Sequence, residues 1–311
     1  MNKAITFIIN PAAGFGRTGR RERKVSEEIT RYCAQAQIVI TKHPMHATAI
    51  ARDAIKSGSE RIVVIGGDGT LNEVVNGFFD SAGELWNKDA SLAIISSGTG
   101  SDFARNFSFS LSDDAALHRA IFASPTLTDV GLVEAHDIRG GRVKRYFINV
   151  AGLGLSASVV SIANGMAKKL WGPATYFLAT LQALANFTPS TLIFRDDDGM
   201  ESTVENCSLV AFANGKYCGH GMKIAPKALL DDGLLDKIII KDIGFGFFLL
   251  NGHRVYTGEH IKLENVSMKK VKSCFVKTIG RPKVFVETDG ELFAELPAKI
   301  SIFSEILKVV R

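Results

Sequence analysis

Over the first 128 residues, short apolar runs alternate with segments whose apolar residues recur at helical spacing. The apolar runs predict buried strands at residues 4–9, 37–41, 61–65 and 91–95. Helical spacing marks residues 25–33, 47–55 and 71–78, the last with apolar positions at i, i+3, i+4 and i+7. Because the strands are apolar throughout and alternate with helices, the pattern indicates a parallel sheet covered on both faces.

The third of these helices has a start signal of its own. Thr70 and Glu73 have the spacing of a capping box, in which side chains and backbone amides bond reciprocally at a helix start. We therefore predict that this helix begins around Thr70, at the end of the stretch Gly-Gly-Asp-Gly-Thr.

From about Asp129 the pattern changes to shorter segments in which apolar and polar positions alternate. This alternation predicts a β-sandwich or a similar fold, interrupted by one helical insertion at roughly 156–187 and closed by an apolar run at 298–310. The predicted strands lie at 145–152, 190–196, 203–214, 234–242, 269–279 and 283–296.

The composition narrows the class of protein. The length of 311 residues suits one large domain or two ordinary ones, and the hydrophobic content of 46% is enough for a core. The net charge of +5 suits anionic ligands or membrane surfaces. The four cysteines form no Cys-x-x-Cys pair, so neither zinc nor disulfides are indicated, and a reducing cytosol is the simplest location. We expect neither a signal peptide nor a membrane span, since the best candidate span, 170–187, contains a Gly-Pro pair and several polar residues.

Small or polar residues follow all four predicted strands of the first half, at Asn10, Thr41, 66–70 and 97–101. Ligands of parallel sheets bind beyond the carboxyl ends of the strands, where glycines let backbone N–H groups approach a phosphate. We interpret Gly-Gly-Asp-Gly-Thr as a phosphate cradle in which Asp68 holds Mg²⁺ or orients a water or hydroxyl. An ordinary tight turn is the plainer alternative.

Common nucleotide and metal motifs do not account for these turns. The chain has no Walker A ending, and the spacing at 66–70 does not fit the dinucleotide fingerprint. Gly152, Gly154 and Ala157 fit that fingerprint, but no acidic residue follows about 20 positions later, so we interpret them as close packing. His43 and His46 have no third ligand nearby in the sequence, which argues against a metal site.

Two acidic turns occur in the second half, Asp-Asp-Gly at 231–233 and Asp-Gly-Glu at 289–291. Both are plain hairpin turns in one interpretation. In the other, Asp289 and Glu291 lie two apart on a strand and share one face, where two carboxylates suit a general base beside a metal or water holder.

A basic and apolar segment lies between Asp137 and Asp196, which enclose seven Lys or Arg residues and no acid. Such a segment fits contact with an anionic membrane interface, and a buried helix with basic flanks is the alternative. The stretch Gly-Phe-Gly-Phe-Phe-Leu-Leu at 244–250 is similarly either core or an apolar edge for an acyl chain.

Five motifs together resemble the diacylglycerol kinase catalytic-domain family, and within it the soluble bacterial lipid kinases. They are NPAAG at 10–14, GGDGTLNEVVNG at 66–77, GTGSDFAR at 98–105, the Asp-Asp-Gly turn and TDGE at 288–291. The resemblance implies an α/β ATP-binding domain at 1–128, to which about 298–311 return, and a β-sandwich lipid-substrate domain at 129–297. It also implies an active site in the cleft between the two domains.

The resemblance and the strand ends together assign roles to individual residues. Glu291 is implied as the base, and Asp129 and Asp289 match acidic positions linked to the catalytic metal and water network. Mg²⁺ is implied at the backbone carbonyls of Leu229 and Leu234 and the side chain of Asp232. The residues expected to bind ATP are Asn10, Thr41, Gly66, Gly67, Asp68, Gly69, Thr70, Leu71, Asn72, Gly98 and Thr99.

The implied reaction is transfer of the γ-phosphate of ATP to a hydroxyl of diacylglycerol or a related lipid. The implied setting is a cytoplasmic protein, peripheral at the inner face of the membrane, with a homodimer expected and no nucleic-acid partner. Two alternatives stay open. The first is an NAD kinase-like enzyme of a soluble substrate, because NAD kinases share GGDGT, and the second is a non-catalytic nucleotide sensor.

Overall fold

A computed structural model describes residues 4–97, 100–107, 113–166, 173–280 and 283–311. The chain divides into two compact units, Met1–Thr128 with Glu305–Arg311, and Asp129–Ser304. None of the helices in these described ranges is long and apolar enough to cross a membrane.

The first unit alternates strands and helices, as the apolar pattern predicts. Its elements are β1 (Ile5–Ile9), α1 (Ala13–Tyr32), β2 (Gln37–Ile40), α2 (His46–Lys56), β3 (Arg61–Gly66), α3 (Asp68–Gly77), β4 (Ser91–Ser96), a 3₁₀ turn (Ala104–Asn106) and α4 (Asp113–Phe122). Strand β5 (Thr126–His136) then carries the chain into the second unit.

The second unit is mainly antiparallel. Its elements are β6 (Arg142–Phe147), β7 (Val150–Gly154), α5 (Leu155–Met166), α6 (Pro173–Asn186), β8 (Ser190–Asp196), β9 (Glu201–Ala213), β10 (Leu235–Lys241), α7 (Phe245–Asn251), α8 (Arg254–Thr257), a 3₁₀ turn (Glu259–Lys262), β11 (Val266–Val271), β12 (Ser273–Ile279), β13 (Phe285–Thr288) and β14 (Glu291–Val310). The end of β14 returns to the first unit.

The sheet of the first unit is parallel, in the order β2, β1, β3, β4 and the end of β14. Strands β1 and β3 are buried along their whole length because helices pack on the sheet. Phe7 and Val63 lie in the core with Ile29 of α1 and Leu117 of α4. The predicted parallel α/β sheet is confirmed, and the carboxyl ends of its strands lie along one edge.

The antiparallel strands of the second unit enclose a core that includes Phe147, Phe194, Phe212 and Ile300. The main strand order is β11, β10, β9, β7, β13, β14, while β12 pairs with β14 and β8. The predicted helical insertion is confirmed as two helices, since α5 and α6 pack together through alanines and branched aliphatic side chains.

Three predicted strands are interrupted. In two of them a carboxylate accepts backbone N–H groups, and in the third the chain makes a turn. The predicted strand 145–152 splits because Asp289 accepts the N–H groups of residues 148–150. The predicted strand 269–279 splits at Lys272, whose N–H donates to Asp197. The predicted strand 283–296 turns at Asp289–Gly290, and its second arm continues to Val310, so 298–310 is not a separate strand.

The predicted capping box is wrong. Helix α3 begins at Asp68 with Gly67 as its N-cap residue, so Thr70 already lies within its first turn. The Glu73 carboxylate instead accepts the N–H groups of Met45 at 2.9 Å and Ala47 at 3.1 Å, at the start of α2. Glu73 therefore caps the neighbouring helix, because free N–H groups at a helix start attract a nearby carboxylate.

Candidate functional site

Hydrogen bonds join the turns that follow β1, β3 and β4 in the first unit. The Asn10 side-chain amide donates to Thr70 Oγ1 at 2.8 Å. The Ser97 N–H donates to the Gly66 carbonyl at 2.9 Å. The structure thus brings Asn10, Gly66 and Thr70 together at the carboxyl edge of the sheet, where parallel sheets bind ligands.

Asp68 joins a further turn to this edge. Its Oδ2 accepts the Asp102 N–H at 3.0 Å, and its Oδ1 accepts the Phe103 N–H at 3.1 Å. Both carboxylate oxygens therefore hold the backbone just before the 3₁₀ turn. Each oxygen has further lone pairs, so this positioning role leaves the carboxylate able to accept again.

Two glycines of these turns have no space for a side chain. A Cβ on Gly66 would lie 2.8 Å from Thr70 side-chain atoms. Gly14 has a left-handed backbone with φ of +60°, and a Cβ there would lie 2.5 Å from the Ser97 carbonyl oxygen. Glycine is therefore required at Gly66 by the neighbouring Thr70 side chain and at Gly14 by the close approach of the turn after β4.

The other predicted ATP-binding residues differ in how exposed they are. Gly67 and Gly69 are partly exposed around the start of α3, and Thr41 is partly buried with its N–H bonded to the Ile9 carbonyl. The side chains of Leu71 and Asn72 are buried, so they face the protein interior. Gly98 and Thr99 lie outside the described residues.

The two histidines near Thr41 form a stacked pair. The rings of His43 and His46 lie 4.7 Å apart between centroids, and His46 Nδ1 accepts the Lys42 N–H. Across the described ranges, no three His, Cys, Asp or Glu side chains are grouped closely enough to hold a metal ion.

In the second unit, the Asp-Asp-Gly turn is bonded to the fully buried Asp129. Asp129 Oδ2 accepts the Gly233 N–H at 2.7 Å, and the Asp129 N–H donates to the Leu230 carbonyl at 2.7 Å. The Asp232 carboxylate accepts the Leu234 N–H at 3.1 Å and also pairs with the Lys270 ammonium. The structure therefore places Asp129 beside the turn that carries Leu229, Asp232 and Leu234.

Asp289 and Gly290 form a two-residue hairpin turn between β13 and β14. Both have left-handed backbones, with φ of 48° and 87°, and Thr288 pairs with Glu291 across the turn. This is the backbone of a primed turn, for which Asp-Gly is a favoured sequence. The plain-hairpin interpretation is confirmed, and the interpretation that places Asp289 and Glu291 on one strand face is wrong.

The Asp289 carboxylate is a backbone acceptor. It receives the N–H groups of Ile148, Asn149 and Val150, each at 3.0 Å. These three bonds tie the turn to the backbone between β6 and β7. Glu291, the first residue of β14, is exposed beside this turn.

Glu287 is a buried carboxyl group that sequence reasoning missed. Its Oε2 accepts the Gly290 N–H at 3.0 Å, and its Oε1 accepts the Ser156 hydroxyl at 3.3 Å. A Cβ on Gly152 would lie 2.2 Å from Glu287 Oε1, which confirms that this glycine serves close packing. The signal for Glu287 was its place in the run Glu-Thr-Asp-Gly-Glu, two residues before Asp289.

Glu287→Gln is expected to remove a pH dependence from the stability of the fold. Burial raises the pKa of Glu287 from 4.5 to about 7, and the negative charges of Asp289 and Glu291 contribute to this rise. The hydrogen bonds from Gly290 and Ser156 lower this pKa and offset part of the rise. The folded state therefore binds the proton more tightly, and wild-type stability falls between about pH 4.5 and pH 7, by at most about 3 kcal/mol. In the variant, the glutamine oxygen accepts the Gly290 N–H and its NH₂ donates to the Ser156 hydroxyl, so both contacts persist without a charge.

The check is the free energy of unfolding in urea, measured for both proteins from pH 5 to pH 8. The stability of the glutamine variant should rise relative to that of the wild type as the pH increases. A constant difference across this range would contradict the prediction.

Both units match known families. Residues 4–133 match the family described as diacylglycerol kinase catalytic domain, and residues 149–311 match the YegS C-terminal NAD kinase beta sandwich-like domain. A diacylglycerol kinase of Bacillus subtilis is 30% identical over 298 residues, covering 96% of this chain and 92% of that protein. A diacylglycerol kinase of Mycobacterium tuberculosis is 28% identical over 311 residues, covering 99% and 94%.

Solved structures agree with the fold. A diacylglycerol kinase structure from Bacillus anthracis has a TM-score of 0.69 at 21% identity, covering 99% of this chain and 96% of that one. A yeast NADH kinase structure has a TM-score of 0.53 at 11% identity, covering 99% and 83%, which is a likeness of fold alone. Both likenesses concern the fold alone, a parallel α/β unit followed by a β-sandwich. This chain belongs to the diacylglycerol kinase catalytic-domain family of lipid kinases.

Proposed function

We propose that this chain transfers the γ-phosphate of ATP to a hydroxyl of diacylglycerol or a related membrane lipid. The observation that carries the proposal is the bonded set of glycine-rich turns in the first unit, with Asn10 on Thr70 and Asp68 on two further backbone amides. Such an edge holds phosphates with backbone N–H groups. The lipid acceptor is supported by the names of the relatives, which are diacylglycerol kinases.

The reaction is an in-line displacement in which the protein mainly positions groups. Glu291 accepts the proton of the lipid hydroxyl as that oxygen bonds to the γ-phosphorus, and the bond to the β–γ bridging oxygen breaks to release ADP. Asp289 keeps the turn before Glu291 fixed through its backbone bonds. Asp68 would hold Mg²⁺ or one of its waters, and the ion would supply positive charge beside the phosphate oxygens.

The test uses purified protein with γ-labelled ATP, Mg²⁺ and vesicles of mixed lipids that include diacylglycerol, monoacylglycerol, a sphingoid base and phosphatidylglycerol. Label in an organic-phase lipid is the expected result, and the labelled species names the acceptor. Transfer to NAD in a parallel aqueous assay would establish the NAD kinase alternative. ATP binding without transfer to any acceptor would favour the nucleotide-sensor alternative.

An exposed apolar surface in the second unit supports peripheral membrane contact. We call it the α6–α7 surface, and it comprises Phe177, Leu178, Phe245, Leu249 and Leu250. The Phe177 and Phe248 rings lie 5.7 Å apart between centroids, which joins the two helices. Leu250 is 75% exposed, so the interpretation of 244–250 as core is wrong for α7. Clustered exposed apolar side chains mark interaction sites, and a bilayer interface accepts such a helix face.

Replacing Leu249 and Leu250 together by serine is expected to weaken vesicle binding at least about tenfold, because each leucine contributes roughly 1.5 kcal/mol or more when it leaves water. Sedimentation with phosphatidylglycerol-containing vesicles measures the binding. Met200→Ser is the matched control, since Met200 is exposed in the turn between β8 and β9. Equal binding by the double variant and the control would contradict membrane contact through this surface.

A further inference from the structure

The Asp-Asp-Gly turn, where the family resemblance implies a divalent ion, is already supplied with a positive charge. The Lys270 ammonium pairs directly with Asp232 Oδ2. The other oxygen of the same carboxylate accepts the Leu234 N–H at 3.1 Å. Asp232, the one side-chain metal ligand that the resemblance assigns, therefore already has a full positive charge paired with one oxygen and an N–H donor bonded to the other.

A second carboxylate faces the same ammonium. Asp236 is the cross-strand partner of Lys270 between β10 and β11, and its Oδ2 lies 3.9 Å from Lys270 Nζ. Asp236 is almost fully buried, and none of the described residues donates a hydrogen bond to its carboxylate. Lys270 is thus the positive charge toward which the carboxylates of Asp232 and Asp236 converge.

These residues do not fit a divalent ion while Lys270 is in place. A divalent ion on Asp232 Oδ2 would share that oxygen with the Lys270 ammonium, and two neighbouring positive charges repel each other. With the lysine removed, two carboxylates would remain, and carboxylate oxygens are ligands that Mg²⁺ and Mn²⁺ prefer.

The Asp-Asp-Gly turn also holds the buried Asp129 in place. It donates the Gly233 N–H to Asp129 and accepts the Asp129 N–H at Leu230. Without a positive charge, Asp232 and Asp236 would repel each other, and the turn that holds the buried Asp129 would loosen.

We propose that the Lys270 ammonium is the resident cation of the Asp-Asp-Gly turn and takes the place of the divalent ion that the family resemblance implies there. The turn of this chain then forms without metal. This inference is independent of the proposed kinase reaction, because the charge pairing is a property of the folded second unit alone.

The test is metal-dependent stability and binding in the absence of nucleotide. Wild-type protein is expected to unfold at the same temperature in EDTA and in MgCl₂, and to bind no Mn²⁺ in a titration followed by electron paramagnetic resonance. Lys270→Met is expected to lower the unfolding temperature in EDTA by about 3 °C or more, to regain it as MgCl₂ is added, and to bind one Mn²⁺.

Two variants serve as controls. Lys270→Arg keeps the charge and should behave as the wild type, and Lys272→Met removes an exposed lysine two residues further along without changing the unfolding temperature. Tight Mn²⁺ binding by the wild type, or a saturable rise of its unfolding temperature with MgCl₂, would overturn the proposal without need of any variant. A Lys270→Met protein with wild-type stability in EDTA would overturn it as well.

Discussion

Glu291→Gln is expected to lower the rate of lipid phosphorylation by a factor of about 10²–10⁴ and to leave the fold intact. Glu291 is exposed at the first position of β14, so its replacement by an isosteric amide changes stability by less than about 0.5 kcal/mol. The amide cannot take the proton of the acceptor hydroxyl. The loss should therefore appear in kcat, with the KM for ATP nearly unchanged.

Initial rates with labelled ATP and lipid vesicles measure this effect. Glu295→Gln is the matched control, because Glu295 lies four residues further along the same strand and pairs with Lys283 at 2.9 Å. Its rate should stay close to that of the wild type. A Glu291→Gln enzyme within threefold of wild type would place the general base elsewhere, whatever the control shows.

Asp289→Asn is expected to lower the free energy of unfolding by about 2–4 kcal/mol, because three backbone N–H groups lose a charged acceptor. Asparagine tolerates the left-handed backbone of this position, so the variant isolates the acceptor from turn strain. Its side-chain NH₂ also faces N–H groups that need an acceptor. Kinase activity should fall too, because the same turn precedes Glu291.

Hydrogen exchange locates the effect of this variant. The amides of Ile148, Asn149 and Val150 should exchange faster, since they donate to Asp289 in the wild type. Asp137→Asn is the control, because Asp137 accepts two backbone N–H groups in an exposed turn and should cost little. Unchanged exchange at residues 148–150, together with wild-type stability, would remove Asp289 from this positioning role.

The elements of the fold could be predicted where the cause was local. Apolar runs and helical spacing are properties of neighbouring residues, which is why β1, β3, β4 and α3 appear in the pattern. The breaks after Phe147 and at Lys272 could not be predicted, because the carboxylates that cause them stand 139–141 and 75 residues away in sequence. Glu73 similarly caps a helix that begins more than 25 residues earlier.

In the candidate site, too, local features could be predicted and contacts between distant residues could not. The glycine-rich turns could be recognised from the sequence because glycine is the residue that allows two backbone segments to approach closely. The contacts that organise those turns are distant in sequence, as with Asn10 and Thr70 or Asp68 and Phe103. Lys270 carried no signal in the sequence, because its place depends on the register of β10 and β11, which sets it opposite Asp236, and on its ion pair with Asp232.

The return of β14 to the first unit has a consequence for biosynthesis. Lys308–Val310 pair with Ser91–Ala93 along one edge of the parallel sheet, so that edge is completed only after the whole second unit has been translated. While the ribosome is still making the second unit, β4 presents unpaired backbone groups along one side, which invites pairing with other chains. Removal of residues 305–311 should therefore reduce soluble yield, although those residues follow every predicted catalytic and ligand-binding position in the sequence.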